Sequence, residues 1–218
     1  MRYILIANGS WNAGPALDVV LRQHTTDPAE IIAVDGGANH AYRRRLTPSL
    51  IVGDLDSIMP DVLNFYQSQG IEIQAYPPEK DETDLELALL EAVQRNASWI
   101  RIFAALGDRL DQTFANIYLL SLPQLSGVDV KIVAGKQTIW LLQEGEHQLF
   151  GAVGDTISLL PFDGDVEGIT THHLAYPLQH ETLYKGPARG ISNVITGQNP
   201  VLSIERGKLL VIHTIGRA

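Results

Sequence analysis

The chain has 218 residues, 45% of them hydrophobic, with 25 Asp and Glu against 16 Lys and Arg for a formal net charge of -9. That length holds one large domain or two small ones around a sizeable core, and the acidic excess opposes nonspecific attraction to nucleic-acid phosphates or anionic membranes. With no cysteine in the sequence, disulfides, thiolate zinc sites, iron–sulfur clusters and cysteine nucleophiles are excluded.

In chain order, Met1-Arg2-Tyr3-Ile4-Leu5-Ile6-Ala7 is too short for a signal-peptide core, and no apolar run approaches the roughly 18 residues of a spanning helix. The cytoplasm is therefore the expected compartment. Short apolar runs at Tyr3 to Ala7, Glu30 to Val34, Leu50 to Val52, Ile71 to Ala75, Trp99 to Ala104 and Asp129 to Ala134 read as strands. Amphipathic stretches around 15–23, 37–45, 60–69, 83–95 and 112–121 read as helices between them. The fourth has a capping box, Thr83-Asp84-Leu85-Glu86, with Leu85, Leu89, Ala92 and Val93 at helical spacing. This alternation predicts a Rossmann-like α/β domain over residues 1–138 with a parallel sheet.

Beyond residue 138 the rhythm changes to short strands separated by Gly, Pro and Asp, including Thr138 to Leu142, Thr156 to Leu160, Val201 to Glu205 and Leu209 to Thr214. Residues 139–218 are therefore expected to form a small antiparallel β-sandwich. The tight Arg206-Gly207 turn predicts a hairpin between the last two strands.

In an open α/β sheet, ligands bind outside the carboxyl ends of the strands. The predicted strands run into Asn8-Gly9-Ser10, Asp35-Gly36-Gly37-Ala38-Asn39, Gly53-Asp54-Leu55-Asp56-Ser57, Lys80-Asp81-Glu82-Thr83-Asp84 and Gly107-Asp108-Arg109-Leu110-Asp111-Gln112. Asp54 and Asp56 could point the same way from an extended segment. At about 5 Å and an effective dielectric of 20, two carboxylates repel by roughly 3 kcal/mol, so a shared site wants a cation. Oxygen ligands without Cys or a His cluster favour Mg2+ or Mn2+ over zinc. The same two residues also suit a turn cap and a solvated charge.

Asp81 and Asp84 flank the start of the capped helix, where capping is their alternative role. Asp111 likewise suits an N-cap. Arg109 offers a planar fork for phosphate oxygens, Lys80 a point charge, and Gly36-Gly37 a close backbone approach to a nucleotide. Neither a P-loop nor a G-x-G-x-x-G fingerprint is present. Arg43-Arg44-Arg45 fits a helix C-terminus, and His172, His173 and His180 lack the spacing of a metal motif.

Taken in order, Asp35-Gly36-Gly37-Ala38-Asn39, Gly53-Asp54-Leu55-Asp56-Ser57-Ile58, Lys80-Asp81-Glu82-Thr83-Asp84 and Gly107-Asp108-Arg109-Leu110-Asp111-Gln112-Thr113-Phe114-Ala115-Asn116 resemble the thiamine pyrophosphokinase family. Gly190-Ile191-Ser192-Asn193, followed by Gly197, is similar to that family's thiamine-domain motif. The resemblance implies an N-terminal domain handling ATP and Mg2+, a C-terminal domain recognising thiamine, and a homodimer. It implies transfer of the pyrophosphoryl group of ATP to the thiamine hydroxyl, releasing AMP. On this reading Asp54, Asp56, Asp81 and Asp84 serve Mg2+, and Asp111 accepts or orients the hydroxyl proton. Arg109 and Lys80 stabilise phosphate charge. Asp35, Gly36, Gly37 and Gln112 belong to the nucleotide side, and Ser192, Asn193 and Tyr176 to the pyrimidine side.

Three departures from the family pattern stand in the sequence. Asp108 stands where a second Gly is common, His40 where Arg is common, and His173-Leu174-Ala175-Tyr176-Pro177-Leu178 follows its motif loosely. A pyrophosphokinase for another heteroaromatic alcohol, such as a pterin, and a non-catalytic nucleotide or thiamine sensor are the competing functions.

Overall fold

The structure, a computed structural model, describes residues 1–217. The chain divides into two compact units, Met1–Gly135 and a second beginning at Lys136.

The first unit is built on six strands, β1 (Arg2–Ile6), β2 (Glu30–Val34), β3 (Leu50–Gly53), β4 (Glu72–Ala75), β5 (Trp99–Phe103) and β6 (Asp129–Ala134). They pair in parallel in the order β6-β5-β1-β2-β3-β4. Ile4, Leu5, Ile6, Ile32, Leu50, Ile51, Ile100 and Ile102 are fully buried. Such continuous apolar runs are what a sheet covered on both faces requires. Each of these side chains contributes about 1.5–3 kcal/mol by leaving water. The helices are α1 (Pro15–Thr26), α2 (Gly37–Arg43), α3 (Pro60–Ser68), α4 (Asp84–Gln94) and α5 (Leu110–Tyr118). From β1 the sheet grows to β2 on one side and to β5 on the other, so strand order reverses there and a crevice opens at the carboxyl ends.

Helix α4 starts as its sequence predicts. Thr83 Oγ1 accepts from the Glu86 N–H at 3.2 Å, and Leu85, Ala88, Leu89 and Ala92 form its buried face. Helix α5 starts earlier than predicted. Arg109 holds the cap position without a side-chain cap bond, which places Asp111 in the first turn rather than at the N-cap.

The second unit contains β7 (Gln137–Leu142), β8 (Gly145–Gln148), β9 (Thr156–Pro161), β10 (Val166–His172), β11 (Glu181–Leu183), β12 (Asn193–Val194), β13 (Val201–Ile204) and β14 (Leu209–Thr214). The boundary expected after residue 138 falls within β7. Strands β12-β9-β14-β7 pair antiparallel, as do β11-β10-β13-β8. Their core includes Trp140, Ile157, Leu159, Val166, Ile169, Leu202, Leu209 and Val211.

The hairpin predicted at Arg206-Gly207 is absent. Strand β13 pairs with β10 and β8, whereas β14 pairs with β7 and β9. The turn carries the chain from one sheet to the other, with Gly207 at φ 105° and Arg206 bridged to Glu167. Turn chemistry fixes the reversal but not which strands pair after it.

Candidate active site in the alpha/beta unit

A cavity of about 630 Å³ opens at the carboxyl ends of the parallel strands, lined from the segments that follow β1 to β5. Asn8, Gly9 and Ser10 come from the first, Asp35 from the second, Asp54, Asp56 and Ser57 from the third, Lys80 to Asp84 partly from the fourth, and Gly107, Asp108, Arg109 and Gln112 from the fifth.

In its lining, one carboxylate oxygen from each of Asp35, Asp54 and Asp84 lies within 4.8 Å of the other two. Asp35 is buried, at φ 45°, and accepts from the Ser57 N–H at 3.3 Å and from Asn8 Nδ2 at 3.5 Å. The backbone around it is crowded. A Cβ at Gly53 would stand 2.9 Å from the Asp35 Cβ, and one at Gly37 would stand 1.8 Å from the Ile6 carbonyl oxygen. Gly37 therefore brings the start of α2 against the end of β1, a close packing that any side chain would prevent.

This trio differs from the expected metal set. Asp35 takes part in it, while Asp56 lines the cavity outside it, with Oδ1 accepting from Ser57 Oγ at 2.9 Å. Leu55 explains the difference. Its φ of 69° breaks the extended geometry that would aim both flanking carboxylates the same way, and the Asp56 N–H instead donates to Asp54 Oδ1 at 3.3 Å. Asp81 is exposed and outside the cavity lining.

Lys80 is directed into the trio. Its Nζ is 3.0 Å from Asp84 Oδ1 and 3.9 Å from Asp54 Oδ2, and it donates to the Pro77 carbonyl at 3.1 Å. Burial pushes the Asp84 carboxyl above its ordinary value, with the charges of Asp54 and Asp35 adding to that rise and Lys80 offsetting it in part. Three acids held this closely fit a hard divalent cation, since an all-oxygen donor set of this charge suits Mg2+ or Mn2+.

Arg109 and Asp111 satisfy one another. Arg109 Nη2 and Nε donate to Asp111 Oδ2 and Oδ1 at 2.5 and 3.2 Å, and both side chains are exposed. That fork holds the Asp111 carboxyl below its usual range. Arg109, Gln112 and Asp108 line the cavity, and Asp111 lies outside the lining. The loop is braced by residues to which sequence reasoning gave no role. Thr113 Oγ1 accepts from the Gly107 N–H at 3.1 Å, and buried Asn116 donates to the Ala105 carbonyl at 2.7 Å. Their signal was the unbroken Asp111-to-Asn116 motif.

Residues 22–132 match the family model of the thiamin pyrophosphokinase catalytic domain, and residues 143–209 that of the thiamin pyrophosphokinase vitamin B1 binding domain. The chain belongs to the thiamine pyrophosphokinase family. It is 28% identical over 211 residues to the thiamine pyrophosphokinase of Bacillus subtilis, covering 96% of this chain and 97% of that one. Thiamine pyrophosphokinase 1 of Arabidopsis thaliana is 33% identical over 189 residues, covering 75% of this chain and 70% of that one. The crystal structure of the Bacillus subtilis enzyme superposes with a TM-score of 0.87 at 26% identity, covering 99% of each chain.

The positions that thiamine pyrophosphokinase resemblance assigned to the pyrimidine lie in the second unit. Tyr176 is 71% exposed, so its ring is available to a ligand. Asn193 is buried and committed to backbone. Its Oδ1 accepts from the Tyr176 and Val194 N–H groups at 3.0 and 2.9 Å, and its Nδ2 donates to the Tyr176 carbonyl at 2.7 Å. The side chain expected to bind substrate thus fixes the segment that carries Tyr176. Ser192 is exposed at φ 58°, its N–H donating to Ser158 Oγ at 3.1 Å. Gly190 permits this path, since a Cβ there would stand 2.1 Å from the Leu159 carbonyl oxygen.

Proposed function

We propose that the chain transfers the pyrophosphoryl group of ATP to the thiamine hydroxyl, giving thiamine diphosphate and AMP. The observation that carries this reading is the Asp35–Asp54–Asp84 trio at the carboxyl end of a parallel sheet, in a chain of this family. Residues 1–138 serve ATP and Mg2+, and residues 139–218 serve thiamine.

The hydroxyl oxygen attacks the β-phosphorus, the bond to the bridging α–β oxygen breaks, and AMP departs with that oxygen. A divalent cation bound by Asp35, Asp54 and Asp84, with Asp56 nearby, would supply charge neutralisation to the polyphosphate. The residues of the chain do the rest. Lys80, paired with Asp84 and Asp54, turns its ammonium toward phosphate oxygens when the carboxylates are otherwise neutralised. Arg109 exchanges Asp111 for a phosphate, and the released Asp111 orients the hydroxyl and receives its proton. Gln112 and the Gly36-Gly37 backbone shape the nucleotide side. Ser192 hydrogen-bonds the aminopyrimidine, and Tyr176 packs on it while Asn193 holds Tyr176 in place.

The same reading takes the working form as a cytoplasmic homodimer. Its support is a stripe on one face of α5, where Leu110, Phe114 and Tyr118 are 68%, 56% and 59% exposed at helical spacing. No helix among the described residues is long and apolar enough to cross a membrane. Incubating the protein with ATP, thiamine and Mg2+ and separating the nucleotides tests the reaction, and sedimentation equilibrium tests the dimer. A monomer at the concentrations where it turns over would remove the second claim.

A further inference from the structure

The segment Asn8-Gly9-Ser10 walls the cavity, and its backbone is held from two sides. Toward β5, the Gly9 N–H donates to the Ala104 carbonyl at 2.7 Å and the Ser10 N–H to the Leu106 carbonyl at 2.8 Å. Toward α2, the Gly9 carbonyl meets His40 Nε2 at 2.8 Å. A carbonyl oxygen accepts and never donates, so Nε2 carries the hydrogen. In the neutral ring Nδ1 is then bare, which fits its surroundings, because Nδ1 is buried with no hydrogen-bond partner among the described residues.

The groups around this ring keep it in that form. The Trp11 ring centre lies 5.9 Å from that of the imidazole and 5.7 Å from that of Phe103, and the Arg44 guanidinium stacks over the Trp11 ring at 3.8 Å. Burial lowers the basicity of His40, and the charges of Arg44 and Arg43 lower it further against the opposing pull of the Gly9 carbonyl. Asn39, one residue earlier, ties a second cavity segment. Its Nδ2 donates to the Ser57 carbonyl at 2.8 Å and its Oδ1 accepts from the Met59 N–H at 3.0 Å. Adjacent residues of one short helix thus anchor the loops after β1 and β3.

We propose that His40 is a positioning residue for nucleotide binding, acting as a neutral Nε2–H donor that fixes the Gly9 carbonyl and with it the Asn8–Ser10 wall of the cavity. This rests on the reading of the cavity as the ATP site. Without the donor, the Gly9 carbonyl loses its partner and the wall its anchor on the α2 side, so the ligand must restore the order on binding.

The test uses the full chain and α,β-methylene ATP with Mg2+, an analogue whose α–β bridge is not cleaved in the reaction, with binding read by calorimetry. His40→Leu removes the donor, and His40→Gln keeps an uncharged N–H. The expected result is about tenfold weaker analogue binding in His40→Leu, the size of one lost buried hydrogen bond. Thiamine affinity should be unchanged, His40→Gln should recover to within about threefold, and KM for ATP should follow binding while kcat moves by less than about twofold. Equal losses in the two variants, no loss in either, or a parallel fall in thiamine affinity would overturn the assignment. Nitrogen-15 spectra of the histidines read the parent directly, and a His40 found as the Nδ1–H tautomer or as imidazolium at pH 7 would also overturn it. A parent that binds no nucleotide would overturn the cavity reading itself, a result distinct from binding that is indifferent to His40.

Discussion

The ammonium of Lys80, in the loop four residues before Asp84, lies 3.0 Å from Asp84 Oδ1, with both side chains largely buried. A cation of the chain's own therefore stands against the carboxylate trio. Lys80→Met should leave three crowded acids without that counter-charge, costing about 2 kcal/mol in metal-free buffer, less than for a fully buried pair because both side chains keep some contact with water. Adding Mg2+ should return most of the lost stability. Urea titrations with and without Mg2+ check this, and a loss that Mg2+ leaves untouched would separate Lys80 from the cation site.

Asp54→Asn makes the opposite case. Removing one of three charges within 4.8 Å relieves repulsion, so the variant should melt at or slightly above the parent without metal. Its Mg2+-induced rise in Tm should largely vanish, and turnover should fall by a factor of about 100 or more, the scale of losing a pre-organised charge partner. Thermal melts across a Mg2+ series measure both arms.

Much of this site is legible in the sequence alone, because acids and glycines following buried strands converge wherever a parallel sheet forms. The Thr83 cap was equally legible, since its signal lies within four consecutive residues. What escaped was geometry decided by single dihedrals and by tertiary pairing. The spacing of Asp54 and Asp56 suggested a shared direction, which the left-handed Leu55 removes. Asp35 joins the trio because β2 pairs with β3 in register, Val34 beside Val52, a relation between segments distant in sequence. Asn193 read as a ligand contact because a polar residue in a motif looks the same whether its amide faces a substrate or the Tyr176 backbone.

That distinction is testable. Asn193→Ala would orphan the Tyr176 N–H and carbonyl, lowering stability by about 2 kcal/mol and raising KM for thiamine with little change in KM for ATP. A thiamine KM equal to that of the parent would show that the Tyr176 segment needs no such anchor.

In the second unit, Asp155 accepts from the Gly216 N–H at 2.7 Å and the Ala152 N–H at 2.8 Å, and lies 2.8 Å from His213 Nε2. Burial alone would raise its carboxyl, but these partners outweigh it and hold the group below its ordinary value. A carboxyl depressed on folding contributes stability that is fully present above its unfolded value, about 3.9, and is lost as pH falls through the folded value. The free energy of unfolding in urea should therefore fall below about pH 4. Asp155→Asn, which turns an amide N–H₂ toward a backbone donor, should cost about 2 kcal/mol at pH 7 and remove this part of the acid dependence. An unchanged acid limb would assign it to other carboxylates.

The identity of the nucleotide product tests the central claim most directly. With ATP, thiamine and Mg2+, membership of the thiamine pyrophosphokinase family predicts AMP and thiamine diphosphate in equal amounts. Formation of ADP with thiamine monophosphate would mean attack at the γ-phosphorus and would contradict it.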